Sequence, residues 1–514
     1  MKIFCRTLVV SLLVVPALYL AAGANSRRLQ SHSWLTRGPL SGGVLLAQAI
    51  QSSRLQLPGQ LLSPAALTCS PAPCVLPNVQ ASEGGPGLFF PVNETPITAN
   101  PRNAMQLLTG GYDFNCAADL FGLSGGISAG FYASSDGGST WNHTCLGNLT
   151  GYFGAGGPAL GYDRNNVAFI SGINLNATNA GTGSIVFEKS SDNGVTWSAP
   201  QVAVDPVFPN GLADKDWLEI DTHASSPHAN TLYISTTQFD SSALKSEIAV
   251  SHSSDSGNTW TTGVVDTQQT YPTVDQWSDL AIGKDGAVYV TWQRCTANGR
   301  AADCGGTLAS MMFSKSTDGG NTWSSPVAMA TTRLAPDTCL CAFYGNLPNT
   351  AEPVSNIPVI GIDNSTGPHA GNLYVVMYNW TGKQMKVQVV TSTDGGTTWS
   401  NPVPVTAPTA THDQFFPWLS VCSTGIVGVS WLDRRDDPAN VSYEAFAALS
   451  FMGGARFTRS HLISTAMSNP NYDGFGGGFM GDYTGNIWVG RTLYASWPDN
   501  STVNMHNEVG GFVP

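Results

Sequence analysis

The sequence predicts an all-β protein built from repeated units of four short strands. An eight-residue motif recurs, a second strand pattern recurs between its copies, and turn-forming residues are abundant, with 56 Gly and 31 Pro. The motif Ser-x-Asp-x-Gly-x-Thr-Trp occurs five times, at residues 134–141, 190–197, 253–260, 316–323 and 392–399. Such regular recurrence is typical of repeat architectures. Short strands repeated with turn signals favour a β-propeller, in which closure protects the strand edges.

Each copy of the motif is expected to form a hairpin turn. Apolar or β-branched residues precede it, as at residues 185–187 and 387–390. Short Ser and Asp side chains bond backbone N–H groups within turns, and Gly supplies a positive φ. The Thr-Trp pair then begins the next strand, with an indole available to pack on a neighbouring unit. Because a turn carboxylate is occupied by its own backbone, we predict that the repeated aspartates are structural rather than catalytic.

Between the motifs, an aromatic and acidic segment leads into a short strand, a turn, and a second strand rich in Val, Tyr and Trp. The predicted units begin near residues 93, 155, 213, 272, 352, 412 and 478. With strands lettered A to D, the motif lies in the C–D turn. The sixth unit lacks the motif at residues 451–457, and the seventh is short of one strand, which residues around 85–92 can supply. Seven blades are favoured, with six blades plus an extra element as the alternative.

The N-terminus has the pattern of a secretory signal. Residues 1–24 combine Lys2 and Arg6 with an apolar core at 8–22 and an Ala-Gly-Ala cleavage site. An uncleaved anchor is the alternative. Residues 25–90 are predicted to be a largely irregular leader, and residues 91–514 the propeller. Eight Asn-x-Ser/Thr sequences agree with an extracytoplasmic chain, at Asn93, Asn142, Asn148, Asn176, Asn364, Asn379, Asn440 and Asn500.

Charge and cysteine content narrow the function classes. A net charge of −12 argues against nucleic acid or an anionic membrane as partner. No zinc-type spacing of Cys and His occurs, so disulfides are expected. The candidate pairs are Cys69–Cys74, Cys116–Cys145 and Cys295–Cys304, with Cys422 pairing with Cys339 or Cys341. We expect a monomer without cofactor or catalytic metal, although a structural Ca²⁺ is compatible with the acidic loops.

The eight-residue motif resembles the Asp-box, or BNR repeat, of the sialidase superfamily of β-propellers. The resemblance implies a secreted sialidase-like protein with a glycan or glycoprotein partner, acting as an exo-glycosidase on terminal anionic sugars. A non-catalytic propeller that binds glycan or protein is the alternative. A third option is a glycosidase that cleaves neutral polysaccharide with an Asp pair. The Arg-Ile-Pro segment typical of catalytic sialidases is absent from the sequence.

Propeller topology directs the search for a site to one face. Segments before strand A and loops after strand B emerge together, opposite the motif turns. Arginines grip carboxylates in bidentate fashion, carboxyls serve as acid or base, and sialidases use a Tyr paired with Glu as nucleophile. The catalytic candidates on this face are Asp433, Arg434, Arg294, Asp482, Tyr483 and Asp113. The substrate-binding candidates are Arg435, Asp413, Asp275 and Trp418. Alternatively, these residues cap backbone groups, form ion pairs or hold a structural cation.

Overall fold

The computed structural model describes residues 39–42, 44, 67, 69–82, 91–118, 129–240, 244–299, 303–340, 342–407, 409–474, 478–502 and 505–514. The fold is all-β, as predicted. Its regular structure is almost entirely strand; the helical exceptions among the described residues are Gly42 and Val44, the short helix Asn115–Ala118 (α1) and the 3-10 turn Pro470–Tyr472. None of the described helices has the length and apolar character needed to cross a bilayer.

Strands numbered in chain order group into consecutive antiparallel units. Before the first unit lie β1 (Cys74–Val75) and β2 (Val79–Gln80). Unit 1 contains β3 (Val92–Asn93), β4 (Ile97–Ala99), β5 (Leu107–Asp113), β6 (Ala129–Ser134) and β7 (Asn142–Cys145). Unit 2 contains β8 (Tyr152–Gly154), β9 (Ala159–Tyr162), β10 (Ala168–Asn176), β11 (Gly183–Ser190) and β12 (Gln201–Val204). Unit 3 contains β13 (Leu212–Ile220), β14 (Leu232–Asp240), β15 (Lys245–Ser253), β16 (Thr261–Val264) and β17 (Gln269–Thr270).

The later units are more regular. Unit 4 contains β18 (Thr273–Ile282), β19 (Val288–Thr296), β20 (Leu308–Ser316) and β21 (Val327–Arg333). Unit 5 contains β22 (Val359–Ile362), β23 (Leu373–Trp380), β24 (Met385–Ser392) and β25 (Val403–Pro404). Unit 6 contains β26 (Gln414–Val421), β27 (Val427–Asp433), β28 (Glu444–Ser450) and β29 (His461–Leu462). Unit 7 contains β30 (Gly485–Val489), β31 (Thr492–Asp499) and β32 (His506–Val513).

One strand of each unit, which we call its inner strand, contacts the inner strand of the next unit in sequence order. The series β4, β9, β13, β18, β22, β26 and β30 makes contact from each strand to the next, and β30 contacts β4. One parallel bridge, Gly183 to Leu212, also joins units 2 and 3. Between neighbouring units lies an apolar core that includes the fully buried Phe169, Trp292 and Trp431. Multiple four-stranded sheets arranged in this way are consistent with a propeller-like fold.

The N-terminal segment completes the last unit. Both β1 and β2 pair antiparallel with β32, so the outer strand of unit 7 comes from residues 74–80. The prediction that N-terminal residues fill this place is confirmed, but the predicted segment 85–92 was wrong. Residues 83–90 lie outside the described residues, and Val92–Asn93 pair with β5 instead. Part of the stretch predicted to be an irregular leader therefore belongs to the sheets.

The motif turns have the predicted hydrogen bonds. At residues 316–323, Ser316 Oγ donates to Asp318 Oδ1 at 2.8 Å and accepts the N–H of Gly320 at 2.9 Å. Asp318 also accepts the N–H and the hydroxyl of Thr322 at 2.9 and 2.6 Å. These bonds lower the pKa of Asp318 to about 2. Trp323 packs against the main apolar core. The carboxylate is thus committed to its own turn.

Three of the predicted disulfides are present: Cys69–Cys74, Cys116–Cys145 and Cys295–Cys304. The predicted bond from Cys422 was wrong, because this thiol is free and buried and accepts the N–H of Ile426 at 3.3 Å. Cys339 is itself disulfide-bonded, and residue 341 lies outside the described residues. Disulfides of this kind are typical of extracellular proteins.

Candidate functional site

Each of five units bends its chain sharply just before or within its inner strand. The residues with positive φ there are Glu94, Lys215, Trp277, Phe416 and Gly481. In units 3, 4 and 6, the residue lies inside a shift of strand register. A bulge re-aims side chains, and left-handed non-glycine residues are enriched at functional sites. The bends direct polar side chains of different units towards one another.

These side chains form a buried group that we call the central acidic cluster. It contains one lysine and five carboxyl groups, each no more than 2 % exposed, at Glu94, Asp214, Lys215, Asp216, Asp279 and Asp482. The members come from units 1, 3, 4 and 7, which are far apart in sequence. Buried carboxyls with perturbed pKa values are candidates for acid–base chemistry.

Glu94 and Asp482 form a hydrogen-bonded carboxyl pair. Glu94 Oε2 also accepts the N–H of Gly157 at 3.1 Å. Burial and the neighbouring Asp482 raise the pKa of Glu94 well above its ordinary value. Burial also raises the pKa of Asp482 to about 7. Because a hydrogen bond between two carboxyl groups needs a proton, the pair shares one, and the raised pKa of Glu94 favours its placement there.

Asp216 lies on the other side of Gly157. A Cβ at residue 157 would lie only 3.1 Å from Asp216 Oδ1, so glycine permits this close approach. Asp216 Oδ2 accepts the hydroxyl of Ser171 at 2.6 Å, whereas Oδ1 has no hydrogen-bond partner among the described residues. Burial raises the pKa of Asp216 to about 7. This carboxyl thus has one oxygen available for a water or ligand.

Lys215 is the cation of the cluster. Its Nζ lies 4.3 Å from the centre of the Tyr483 ring and 4.9 Å from that of Trp217. Burial lowers the pKa of Lys215, and the carboxylates of Asp216 and Asp279 oppose this effect most strongly. Cation–π contacts with two rings stabilise the ammonium where water is excluded.

Aromatic rings flank the cluster. Trp217 and Trp418 lie 4.6 Å apart between ring centres, and each lies 5.9 Å from the ring of Tyr483. The Tyr483 hydroxyl donates to the carbonyl of Pro158 at 2.8 Å. Trp277 packs edge-on against Tyr344, with ring centres 5.2 Å apart. Acids beside aromatic faces are suited to sugar rings, which combine hydroxyl groups with apolar C–H surfaces.

A segment of the leader lies against the cluster. The N–H and hydroxyl of Ser41 donate to the two oxygens of Asp214 at 2.6 and 2.5 Å. The N–H of Gly42 donates to Asp482 Oδ2 at 2.7 Å. The remaining cavity measures about 20 Å³, enough for roughly one water molecule. The cluster is therefore covered in this conformation.

Three of the predicted residues, Asp482, Tyr483 and Trp418, lie in or beside the central cluster. Asp275 and Arg294 instead form a bidentate ion pair within unit 4, with both hydrogen bonds at 2.7 Å, and Arg294 also pairs with Asp266. Burial, partly offset by Arg294, raises the pKa of Asp275 to about 6. This pair links adjacent strands at directly opposed positions.

The remaining predicted residues form other structural contacts. Arg435 pairs with Asp433, which also accepts the indole N–H of Trp431 at 2.8 Å. The fully buried Arg434 lies 3.7 Å from Asp413 and donates to a backbone carbonyl at 2.8 Å.

Asp113 accepts bonds from Tyr132 and Asn115 and lies 3.1 Å from His143. The predicted arginines are thus bonded to separate carboxylates. Their contacts support the structural alternative, and their assigned catalytic roles stay predictions.

One group of potential metal ligands occurs among the described residues, formed by Cys116, His143 and Cys145. The two cysteines are joined in a disulfide, so their sulfurs do not provide thiolate ligands. We therefore assign this group to the covalent framework.

Sequence reasoning missed Asp214, Lys215 and Asp279 as site residues. A usable signal was present: Asp214-Lys215-Asp216 interrupts an otherwise apolar stretch in a chain with few charged residues. Buried charges are costly unless they are paired or functional.

Comparison with known proteins supports the architecture. No family model and no curated protein matches the chain. An ulvan lyase solved with -[GlcA(1-4)Rha3S]- bound has a TM-score of 0.50 at 10 % identity, covering 82 % of this chain and 93 % of its own. A Hadza microbial sialidase has a TM-score of 0.43 at 16 % identity, covering 66 % of this chain and 63 % of its own. An α-L-arabinofuranosidase from Fusarium graminearum has a TM-score of 0.42 at 12 % identity, covering 69 % of this chain and 91 % of its own. At 10 % identity, the similarity to the ulvan lyase concerns the fold alone.

Proposed function

We propose that the chain is a secreted, monomeric, seven-bladed propeller that hydrolyses glycosidic bonds of an uncharged glycan at the central acidic cluster. The observation that carries this proposal is the buried Glu94–Asp482 pair facing Asp216 across Gly157. Glycosidases commonly use two carboxyl groups with different protonation states.

The roles follow from the environments of the carboxyls. Glu94, whose pKa is raised well above its ordinary value, would donate its proton to the leaving oxygen of the glycosidic bond. Asp216, with its pKa about 7 and one open oxygen, would act as the second carboxyl towards water or the sugar carbon. Asp482 would position Glu94 through their shared hydrogen bond. Lys215 would balance the negative charge of the cluster.

The charge of the cluster favours an uncharged substrate. Five carboxyl groups surround one ammonium, while Arg294, Arg434 and Arg435 are paired with other carboxylates. Recognition of an anionic sugar normally uses arginine in a bidentate contact. A neutral, hydroxyl-rich sugar suits acceptors of this kind better, because each carboxylate oxygen can receive a hydroxyl proton.

The test is turnover of a panel of fluorogenic α- and β-glycosides of neutral sugars by the purified full chain. The same glycosides are also tested with the variant Gly42→Val. A Cβ at residue 42 would lie 2.2 Å from a ring atom of Phe479, so this substitution should displace the leader segment that covers the cluster. We expect Glu94→Gln and Asp216→Asn to lower kcat at least roughly 100-fold. The matched control is Glu188→Gln, a buried glutamate in β11 whose pKa burial also raises to about 7. Equal loss in Glu188→Gln, or no loss in Glu94→Gln, would contradict the assignment.

A second candidate is sialidase-type hydrolysis of terminal anionic sugars. Tyr483 favours it, because its ring borders the central cluster; burial raises the pKa of its hydroxyl well above the ordinary value, and Glu94 adds to this rise. A Tyr paired with Glu is the sialidase form of nucleophile. Turnover of a fluorogenic sialoside that is lost in Tyr483→Phe at unchanged melting temperature would favour this reaction. Binding on a glycan array without turnover of any substrate would overturn both enzyme proposals and leave a binding propeller.

Secretion and oligomeric state are tested separately. The three disulfides support an oxidising compartment. We expect the expressed protein in the culture medium, shortened by the predicted signal and eluting as a monomer. An intact N-terminus in the membrane fraction would instead support the uncleaved anchor.

A further inference from the structure

The leader segment contacts the central cluster as a bound ligand would. Ser41 places two donors, its N–H and its hydroxyl, on the two oxygens of Asp214. Gly42 adds a third donor on Asp482. Two neighbouring donors on one carboxylate reproduce the pattern in which adjacent hydroxyls of a sugar bind an aspartate.

The same segment also supplies an acceptor. The carbonyl of Pro39 receives the side-chain amide of Gln276 at 3.0 Å and the hydroxyl of Tyr344 at 2.7 Å. Gln276 donates in addition to Asp214 at 2.9 Å. The groove thus offers carboxylate acceptors and amide and hydroxyl donors within one wall, beside the rings of Trp277 and Tyr344. This is the mixture of groups that a sugar with several hydroxyls requires.

Covering the groove has a physical reason. Asp214 and Asp482 are almost completely buried, and a buried carboxyl without donors is strongly unfavourable. The leader adds donors to both carboxyls over sequence separations of 173 and 440 residues, beside the donors that Gln276 and the N–H of Lys215 give to Asp214. Val44 anchors the same segment in the main core. A glycan that enters must replace these donors.

We propose that Asp214, Asp482, Gln276 and Tyr344 form a sugar-hydroxyl subsite, and that residues 39–42 occupy it as an intramolecular competitor of the glycan. This inference rests on the proposed function, since it takes the central cluster to be the glycan site. Occupancy by the leader reduces the fraction of molecules able to bind, and the apparent Kd rises in inverse proportion to that fraction.

Gly42 offers a variant that releases the leader without altering a subsite residue. A Cβ at this position would lie 2.2 and 2.8 Å from two ring atoms of Phe479. Gly42→Val should therefore break the contact. Gly299→Val is the matched control, because a Cβ at residue 299 meets nothing within 4 Å. Ser41→Pro is a second releasing variant, because it removes both the N–H and the hydroxyl that Asp214 accepts.

The experiment combines amide hydrogen exchange of the peptide containing residues 39–44 with the neutral-glycoside panel, all on the full chain. We expect slow exchange at residues 41 and 42 in the wild type and in Gly299→Val, and fast exchange in both releasing variants. Release should raise kcat/KM, or the affinity for a non-hydrolysed glycoside, roughly tenfold or more. Saturating the wild type with the best glycoside should also speed exchange at residues 41 and 42.

The outcomes separate the two proposals. Fast exchange in a releasing variant with unchanged kcat/KM and affinity would overturn competition while the glycosidase proposal stands. Slow amide exchange at residues 41 and 42 that persists in the glycan-saturated wild type would also overturn competition. This measurement uses only the wild-type protein, so it does not depend on the folding of a variant. If a released leader reveals neither turnover nor binding of any panel member, the proposed function fails, and the subsite with it.

Discussion

The central cluster predicts that the protein is most stable in mildly acidic solution. Burial raises the pKa of Asp216 and of Asp279 from 3.8 to about 7 in the folded chain. The unfolded chain loses these protons near pH 4, whereas the folded chain holds them to about pH 7. Between these values the folded state binds more protons, so its stability falls as pH rises and then becomes constant above about pH 7.

The size of the effect follows from the pKa difference. Each unit corresponds to about 1.36 kcal/mol, so a shift of about three units costs roughly 4 kcal/mol for one aspartate over the whole interval. Such a loss is a large part of typical domain stability, about 5–15 kcal/mol. The motif aspartates change the folding stability in the opposite direction, and they do so only at lower pH. Their pKa values are lowered to about 2 in the turns at Asp192, Asp255, Asp318 and Asp394. Their contribution is therefore lost below about pH 4, which leaves a maximum near pH 4–5.

The assay is urea unfolding at several pH values between 4.5 and 8. We expect the free energy of unfolding of the wild type to decrease by several kcal/mol from pH 4.5 to pH 7.5. Asp279→Asn removes one of the titrating groups, so the free energy of unfolding should fall less steeply with pH, by the slope that corresponds to about one proton. The exposed control Asp285→Asn should keep the wild-type slope. A wild-type free energy that is constant or rises over this interval would refute the reasoning.

Three further substitutions test the framework. Asp318→Ala removes the acceptor of the turn at residues 316–323 and should lower the melting temperature by a few degrees without changing kcat/KM; a loss of activity at unchanged melting temperature would contradict the structural role of the motif. Arg434→Ala leaves the buried Asp413 without its charged partner and should cost about 3–5 kcal/mol of unfolding free energy. Arg435→Ala should cost less, because the Arg435 side chain is 27 % exposed. Equal costs of the two variants in urea unfolding would argue against the buried pair. The double variant Cys116→Ser, Cys145→Ser opens a 29-residue loop and should cost about 3–4 kcal/mol, whereas Cys422→Ser, which removes no disulfide, should cost less.

The repeat architecture was predictable because its signals are local. Ser316, Asp318 and Gly320 interact within one turn, so the eight letters of the motif carry most of the information that the turn requires. The same applies to the disulfide Cys69–Cys74, which closes a loop of five residues. Such features depend little on the rest of the fold.

The leader was less predictable because its contacts are distant. Residues 74–80 pair with β32 at the other end of the chain, and Ser41 meets Asp214. Neither stretch has the alternation or turn chemistry that marks a strand by itself. Their places are decided by the open edge of unit 7 and by buried carboxylates that need donors.

The acids of the central cluster show how aligning the repeats by their sequence pattern can pair residues that are not structurally equivalent. In both units an aspartate precedes a tryptophan, Asp216 before Trp217 and Asp275 before Trp277, so the letters alone would align Asp216 with Asp275. In the structure, the equivalent residues are instead Lys215 and Trp277, which share a positive φ in their register shifts. Asp216 directly follows this bend, as Asp482 follows Gly481, whereas Asp275 precedes it by two residues.

For Asp216, Asp482 and Asp275, the position relative to the bend accompanies a difference in role. A bulge adds a residue that a strict two-residue alternation does not reveal, and it re-aims the side chains that follow. Asp216 and Asp482, just after the bend, lie in the central cluster with raised pKa values of about 7. Asp275, before it, remains in register with the neighbouring strand and pairs with Arg294. For Asp216 and Asp482, the left-handed residue that precedes each acid is therefore part of what places it in the central cluster.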